Sequence, residues 1–367
     1  MGRVGRALFG AALIAAVVIC TAACAGSSAP TESTAAAGGW RSVTGLPAAN
    51  GGALEDIAVD GSTFVAVGNG YDRGPGLVWT SKDGSSWLSE PSTAVLATVP
   101  LQAVVAGPAG LVALGNDCSG TGECLNNAEA FLSIDGSAWK AGGPMSVFSA
   151  GVAHALWTGS LFLAVGRSDS GDEDAGGIWT SVDGVSWTQN PQIYLFADSV
   201  IAGVARTRAG LVAVGGTPNG DRAIVWTSQD GRTWTRHDQA DFAGADLFDV
   251  VAGGPGYVAV GQAADGAAVW TSPDGQTWSR VADEPSLHGA AMYGVAAGSA
   301  GLVAAGYGSG GAAIWTSPDG ITWMRVPDLP DFAVAQAVAV AASGTTFVAV
   351  GRGTPAGSAR PFVWVNH

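Results

Sequence analysis

Three polar segments of this sequence carry the side chains that are most able to bind a ligand. Each segment lies between two apolar runs and contains an arginine together with an aspartate, and one of them adds a tyrosine. Arginine pairs with anionic oxygens, while tyrosine and aspartate add a hydroxyl and a carboxylate acceptor. The candidate binding residues in these segments are Tyr71, Asp72, Arg73, Arg167, Asp221 and Arg222.

The acidic segment 167–177 offers a second kind of chemistry, which is metal binding. Calcium prefers clustered hard oxygens, and this segment supplies them from Asp169, Asp172, Glu173 and Asp174. A solvated acidic loop is the alternative, and it is the one we expect, because charge runs in loops are usually hydrated. The sequence therefore predicts no cofactor, with calcium as the alternative.

A recurring phrase identifies the elements that must position these side chains. It reads close to S-x-D-G-x-[ST]-W and occurs six times at steps of 44 to 52 residues. Asp-Gly between two strands predicts a tight turn, because glycine tolerates positive φ and the aspartate accepts hydrogen bonds from turn amides. We expect the tryptophan that ends each phrase to pack between units. The glycines are Gly84, Gly136, Gly184, Gly231, Gly275 and Gly320.

A second phrase, which reads V-A-V-G in its commonest form, alternates with the first along the chain and occurs seven times. The two termini account for the difference between seven copies of this phrase and six of the first. Residues 362–366 supply the first half of a seventh S-x-D-G unit, and residues 40–47 supply its second half. Each unit contains four short strands rich in valine and aromatic residues. We predict an all-β, seven-bladed β-propeller with four-stranded antiparallel blades, closed by the N-terminal strand completing the last blade. A linear β-solenoid is the alternative, but it does not explain why the termini complement each other.

Alignment of the units on the second phrase places one residue of each unit near the start of its innermost strand. This set is polar or aromatic where a plain core would be aliphatic, so it is a candidate lining for the mouth of the channel. Glu55, His154 and Tyr293 are the binding candidates, and a packed or water-bridged structural role is the alternative for each. The set is Glu55, Gln102, His154, Ala202, Phe248 and Tyr293.

The six S-x-D-G phrases resemble the Asp-box of the sialidase-like and BNR-repeat β-propellers. The resemblance covers nearly all of residues 40–367 and implies that binding loops lie on the face opposite the boxes. In that superfamily, sialidases use an arginine cluster, a tyrosine nucleophile activated by glutamate, and an aspartate acid. This sequence lacks the family's Arg-Ile-Pro motif and has five tyrosines. No catalytic residue is therefore transferred to it.

The N-terminal segment 1–24 predicts export, because a basic start and an apolar run precede small residues. Its end, "TAAC", resembles a lipoprotein signal-peptidase box, which implies lipidation at Cys24, with simple secretion as the alternative. Residues 25–39 are small and polar and predict a flexible tether. Residues 40–367 then form one domain, which we expect to be monomeric and lipid-anchored at the outer face of the cell membrane.

The net charge and the two remaining cysteines give two further predictions, one about partners and one about a covalent link. The net charge is −14, and it becomes −16 without Arg3 and Arg6, which argues against nucleic-acid binding. Cys118 and Cys124 are close in sequence, and in an exported protein this predicts a small disulfide, with a reactive thiol pair as the alternative.

The sequence thus predicts a cell-surface binding or scaffold propeller for an envelope protein or a glycan, without enzymatic activity. The alternative is a sialidase-like exo-glycosidase with its site at the channel mouth. Arginines that converge over the channel beside a tyrosine and a carboxylate would favour the hydrolase, and scattered arginines would favour binding. The arginines that test this are Arg73, Arg167, Arg222 and Arg352.

Overall fold

The computed structural model describes residues 39–46, 52–70, 74–91, 93–117, 126–145, 150–169, 174–354 and 359–367. In this part of the chain the strands form seven separate four-stranded antiparallel sheets. The predicted seven-bladed β-propeller is therefore confirmed. No helix of the described residues is long and apolar enough to cross a membrane.

Each blade consists of an inner, a second, a third and a short outer strand. The inner strands are β2 (Ala53–Asp60), β6 (Leu101–Gly107), β10 (Ala150–Trp157), β14 (Val200–Thr207), β18 (Ala245–Gly253), β22 (Ala291–Gly298) and β26 (Ala335–Ser343). The second strands are β3 (Thr63–Asn69), β7 (Gly110–Asp117), β11 (Phe162–Asp169), β15 (Gly210–Gly216), β19 (Gly256–Ala263), β23 (Gly301–Gly308) and β27 (Thr346–Gly353). The third strands are β4 (Gly76–Ser81), β8 (Asn126–Ser133), β12 (Asp174–Ser181), β16 (Ala223–Ser228), β20 (Gly266–Ser272), β24 (Gly311–Ser317) and β28 (Arg360–Asn366). The outer strands are β5 (Leu88–Ser89), β9 (Lys140–Pro144), β13 (Thr188–Gln189), β17 (Trp234–His237), β21 (Ser279–Arg280), β25 (Met324–Arg325) and, in the last blade, β1 (Arg41–Ser42).

Short 3₁₀ helices precede five of the inner strands. They are η1 (Ala94–Leu96), η2 (Ile193–Phe196), η3 (Ala240–Phe242), η4 (Pro285–Leu287) and η5 (Phe332–Val334). Because the strands are antiparallel, these connections share one face of the ring with the loops between second and third strands. We call this the mouth face. The opposite face, which carries the Asp-Gly turns, is the turn face.

The ring is closed by the N-terminal strand, as the sequence predicts. Arg41 and Ser42 of β1 pair with Val365 and Trp364 of β28. The Ser42 hydroxyl also donates a hydrogen bond of 2.7 Å to Asp331. The two ends of the described chain therefore meet in one blade, which leaves no unpaired outer strand there.

The Asp-Gly turns form the hydrogen bonds that the sequence predicts. In the fourth blade, Asp230 Oδ1 accepts the backbone N–H groups of Arg232 and Thr233, each at 2.8 Å. These amides hold the pKa of Asp230 below its ordinary value. Gly231 has a φ of +74°, a conformation that favours glycine, and the Trp234 indole donates to its carbonyl oxygen. The hydrogen-bonding groups of this turn are thus satisfied within the turn itself.

The glycine that ends each V-A-V-G phrase is required for a different reason, which is lack of space for a side chain. A Cβ atom on Gly68 would run into the carbonyl oxygen of Ala53 in the adjacent inner strand. The strands approach this closely because β2 has a bulge between Leu54 and Asp56. The repeated glycine therefore marks a bulge in each inner strand, and this bulge shapes the channel.

Apolar side chains pack between consecutive blades rather than at the ring centre. One such cluster joins the third and fourth blades through Leu163, Ile178, Leu211 and Trp226. Tryptophans of the Asp-Gly phrases are buried in these layers, as predicted, which fixes each blade against the next. The buried members are Trp87, Trp139, Trp234, Trp278 and Trp323.

Candidate functional site

The inner strands surround a channel that contains a cavity of about 460 Å³. Each inner strand pairs with its second strand along one edge, so its other edge offers unpaired backbone groups toward the channel. Glu55, Phe248 and Tyr293 line the end at the mouth face, where inner strands begin. Trp157 and Arg206 line the other end, at the turn face. The channel is therefore polar at both ends.

The bulge of each inner strand decides which side chain reaches the mouth. In β2, Leu54 lies opposite Gly68 and Asp56 lies opposite Val67, so Glu55 is the extra residue. An extra residue breaks the alternation of the strand and turns its side chain out of the regular pleat. The equivalent residues of the other blades are Gln102, Ala153, Ala202, Phe248, Tyr293 and Val338.

The sequence alignment is correct for five of these positions and wrong for His154. The extra residue of β10 is Ala153, and His154 follows it opposite Val165. At a bulge two consecutive residues can face the same side, so polarity alone does not distinguish the two positions. His154 consequently lies one residue further along the strand than Glu55 does in its own blade.

A hydrogen-bonded network joins the first and seventh blades at the mouth. Arg352 Nη1 lies 2.8 and 2.9 Å from the two carboxylate oxygens of Glu55. Its Nε donates to Gln336 Oε1 at 3.4 Å, and the Asn69 amide donates to Glu55 at 3.2 Å. The Glu55 side chain is 13 % exposed, and the Arg352 guanidinium neutralises its carboxylate at short range.

Tyr293 stands next to this network but interacts with no carboxylate in it. Its hydroxyl lies near the Gln336 side chain, and its ring packs against Phe248 with centroids 5.4 Å apart. Burial raises the pKa of Tyr293, although the adjacent Gln336 side chain and the nearby Arg352 charge oppose this. The mouth therefore has a polar side and an aromatic side, and its half-buried phenol is held protonated.

Directly after the bulge residue, three alternate blades place a titratable side chain in the channel wall. These are Asp56 in the first blade, His154 in the third and Asp249 in the fifth. We call these three residues the channel ring. The other four blades have small residues at this position, namely Ala103, Gly203, Gly294 and Ala339.

Each aspartate of the channel ring links two neighbouring blades. Asp56 accepts the backbone N–H of Ile57 in its own strand and that of Val104 in the next blade, both at 2.8 Å. Asp249 accepts those of Val250 and Val295 at 2.8 and 2.9 Å. These four amides lie on channel-facing strand edges, so the carboxyl groups substitute for water there. The His154 Nδ1 atom is buried and has no hydrogen-bond partner among the described residues.

Burial raises the pKa of both carboxyl groups in the channel ring. The pKa of Asp56 rises to about 6, because loss of hydration outweighs the attraction of His154 and the two amide donors. The pKa of Asp249 is likewise raised by burial, although the attraction of His154 and the two amide donors oppose the shift. Asp56, His154 and Asp249 therefore lie within electrostatic reach of each other. Sequence reasoning missed both aspartates, although Asp56, His154 and Asp249 each lie twelve residues before the glycine of their V-A-V-G phrase.

The predicted residues of the second-to-third-strand loops are not brought to the channel within the described part of the chain. Asp221 is exposed and accepts hydrogen bonds from Thr217 and Asn219, which shape its own loop. Arg222 forms an isolated backbone bridge with Ala243, and Arg167 lies in β11 opposite Gly151 and Gly176. Neither arginine lines the cavity.

Other predicted positions lie outside the described residues or are described only by their backbone. Asp169 and Asp174 form the last backbone pair of β11 and β12. No group of three or more His, Cys, Asp or Glu residues in the described ranges could hold a metal ion. The positions outside those ranges are Cys24, Tyr71, Asp72, Arg73, Cys118, Cys124, Asp172 and Glu173.

Comparison with solved structures gives propellers, whereas no family model and no curated protein matches the sequence. YCF48 bound to a D1 peptide superposes with a TM-score of 0.62 at 15 % identity, over 93 % of this chain and 98 % of that one. Virginiamycin B lyase from Staphylococcus aureus gives 0.58 at 10 % identity, over 89 % and 99 %. Trypanosoma rangeli sialidase in complex with the inhibitor DANA gives 0.51 at 12 % identity, over 85 % of this chain and 54 % of the sialidase. At these identities the likeness shows the fold alone.

Proposed function

We propose that this chain is a non-catalytic binding module that docks an envelope protein at the mouth of its channel. In this account the chain is exported, lipidated at Cys24 and held by the tether 25–39 at the outer face of the cell membrane. YCF48, a propeller of the same fold, binds a peptide, which supports a protein partner. A glycan partner is an outcome of the test below.

The arrangement of Tyr293 and Glu55 is the observation that carries this proposal. A tyrosine nucleophile needs a base within hydrogen-bond reach and a pKa lowered toward the working pH. The group near the Tyr293 hydroxyl is the Gln336 amide instead, and burial raises the pKa of Tyr293. The carboxylate of the same mouth, Glu55, is bound to Arg352. These groups are better suited to hold a ligand than to attack one.

The alternative hydrolase retains one observation in its favour, because an arginine, a tyrosine and a glutamate do meet at the mouth. Of the four arginines whose convergence over the channel would favour the hydrolase, Arg352 reaches the mouth, whereas Arg167 and Arg222 do not line the described cavity and Arg73 lies outside the described residues. A single arginine that is already bound to Glu55 is a weak anchor for a substrate carboxylate. Binding without turnover is therefore the function that the mouth supports best.

Photo-cross-linking from the mouth face tests the proposal. Tyr307, which is 44 % exposed beside Tyr293, is replaced by benzoylphenylalanine in the full chain in its native host. Ile134, which is 81 % exposed on the turn face, carries the same probe as a matched control. We expect one recurrent protein adduct from position 307, reduced at least about fivefold by Arg352→Ala, and none from position 134.

Three outcomes would count against the proposal. The same adducts from both positions would mean that the mouth has no special role. Adducts that Arg352→Ala leaves unchanged would place the partner elsewhere on the mouth face. An adduct whose added mass is carbohydrate would replace the protein partner with a glycan.

A further inference from the structure

We propose that the channel ring binds a cationic side chain, lysine or arginine, that the docked partner inserts through the mouth. This inference rests on the proposed function, because it names the group of the partner that enters the channel. It concerns Asp56, His154 and Asp249, which line the same cavity from three alternate blades. The ligand class is an alkylammonium or alkylguanidinium group.

The unused hydrogen-bonding capacity of the ring is that of an acceptor. A carboxylate offers about four lone-pair sites, and the structure shows one backbone donor at each oxygen of Asp56 and of Asp249. Each carboxylate therefore has room for further donors. Nδ1 of a neutral His154 would add another acceptor, and this atom is buried and unpartnered among the described residues. Ammonium and guanidinium groups carry several donors and no acceptor, so they match this set.

The charges along the channel favour the same ligand. Glu55 and Arg352 neutralise each other at the mouth, and Arg206 lies at the opposite end. Between these two ends of the channel, the channel ring contributes two carboxyl groups and one imidazole, within a protein of net charge −14. Buried charges are usually paired, so an incoming cation would favour the ionised form of both carboxyl groups. The approach from the mouth avoids Arg206.

The aromatic side of the mouth suits the stem of such a side chain. Phe248 and Tyr293 pack together where the channel opens. Lysine and arginine have long apolar stems that pack on aromatic rings, and their charged heads are attracted to ring faces. A partner side chain could thus lay its stem on this pair while its head reaches the ring.

A purely structural role explains the ring less completely. The two aspartates do link neighbouring blades, but the equivalent positions of four other blades are alanine or glycine. Those blades hold their inner strands in the same register without any carboxylate. Strand arrangement alone therefore does not require two buried acids in one cavity.

Isothermal titration of the full chain with propylguanidinium and with butylammonium tests the inference directly. Propylurea, which has nearly the shape of propylguanidinium but no charge, is the matched control ligand. We expect one cation site at pH 8 that is about tenfold weaker at pH 5, because Asp56, whose pKa is about 6, must ionise for the cation to bind. Equal binding of propylurea, or binding that is no weaker at pH 5, would overturn the inference.

Variants locate the site in the channel. Asp56→Asn and Asp249→Asn should each weaken cation binding at pH 8 at least about fivefold. Asp238→Asn removes an equal charge from an exposed ion pair with Arg236 and should change affinity less than about twofold. If Asp56→Asn fails to fold, Asp249→Asn and the pH comparison decide the question. Unchanged binding in both folded ring variants would refute the site.

The two proposals fail in distinguishable ways. If neither cation binds at pH 8 while partner adducts still form from position 307, the cation site is wrong and the proposed function stands. If the cation binds but position 307 gives no recurrent adduct, the proposed function is wrong. Better binding of one probe than the other would identify arginine or lysine as the inserted side chain.

Discussion

Replacing Trp40 by alanine is expected to lower the free energy of unfolding by about 3–5 kcal/mol. Trp40 is 2 % exposed and packs in the apolar layer between the sixth and seventh blades, together with Ile314 and Trp364. Its loss would leave a cavity where the N-terminal strand completes the ring. The midpoint of urea unfolding, followed by circular dichroism, measures the effect.

The control for this prediction is an exposed apolar residue that directly follows an Asp-Gly phrase. Leu88 in β5 is 68 % exposed, so Leu88→Ala should change the free energy of unfolding by less than about 0.5 kcal/mol. Equal effects of Trp40→Ala and Leu88→Ala would contradict ring closure by the N-terminal strand. The comparison therefore tests the most specific part of the fold.

Replacing Asp56 by alanine should cost stability in a way that depends strongly on pH. The pKa of Asp56 is about 6 in the folded protein against an ordinary value of 3.8. A raised folded pKa gives stabilisation that is complete below pH 3.8 and is lost as pH rises through 6. The difference in unfolding free energy between wild type and Asp56→Ala should thus be larger at pH 4 than at pH 8 by about 2.5 kcal/mol.

Urea unfolding of both proteins at pH 4, 6 and 8 measures this difference. Comparison with Asp56→Ala cancels the contribution of the Asp-Gly turn aspartates, such as Asp83, whose pKa of about 2 gives stabilisation that is lost as pH falls toward that value. Asp238→Ala, which removes an aspartate from an exposed ion pair with Arg236, serves as the surface control. A constant difference across the three pH values would mean that Asp56 is as well hydrated in the fold as outside it.

The architecture could be predicted from the sequence because its signals are local and repeated. An Asp-Gly turn needs only a few consecutive residues, and its hydrogen bonds in the fourth blade are those that the phrase predicts. The split blade followed from counting two phrases, and the pairing of Arg41 with Val365 confirms it. Each of these features depends on residue types that are visible in a short window of sequence.

The channel ring could not be predicted in the same way. Asp56 and Asp249 lie in strands where an aspartate suggests an exposed face, and their hydrogen bonds reach amides in the next blade. That contact depends on how close two inner strands lie, which no local phrase records. His154 was found by aligning the units on the V-A-V-G phrase, but its alignment with Glu55 was one residue out at the bulge. The roles of Glu55, His154 and Tyr293 in binding stay predictions.

The measurement that most directly tests the central claim, a mouth that binds without catalysis, is hydrolysis of a panel of fluorogenic glycosides, sialosides included. Full-length protein is assayed with and without calcium beside Tyr293→Phe, which removes the phenolic hydroxyl near Gln336. We predict no turnover above the uncatalysed rate for any substrate with either protein. Turnover by the wild type that Tyr293→Phe abolishes would contradict the account, because it would make Tyr293 a nucleophile and the channel mouth an active site.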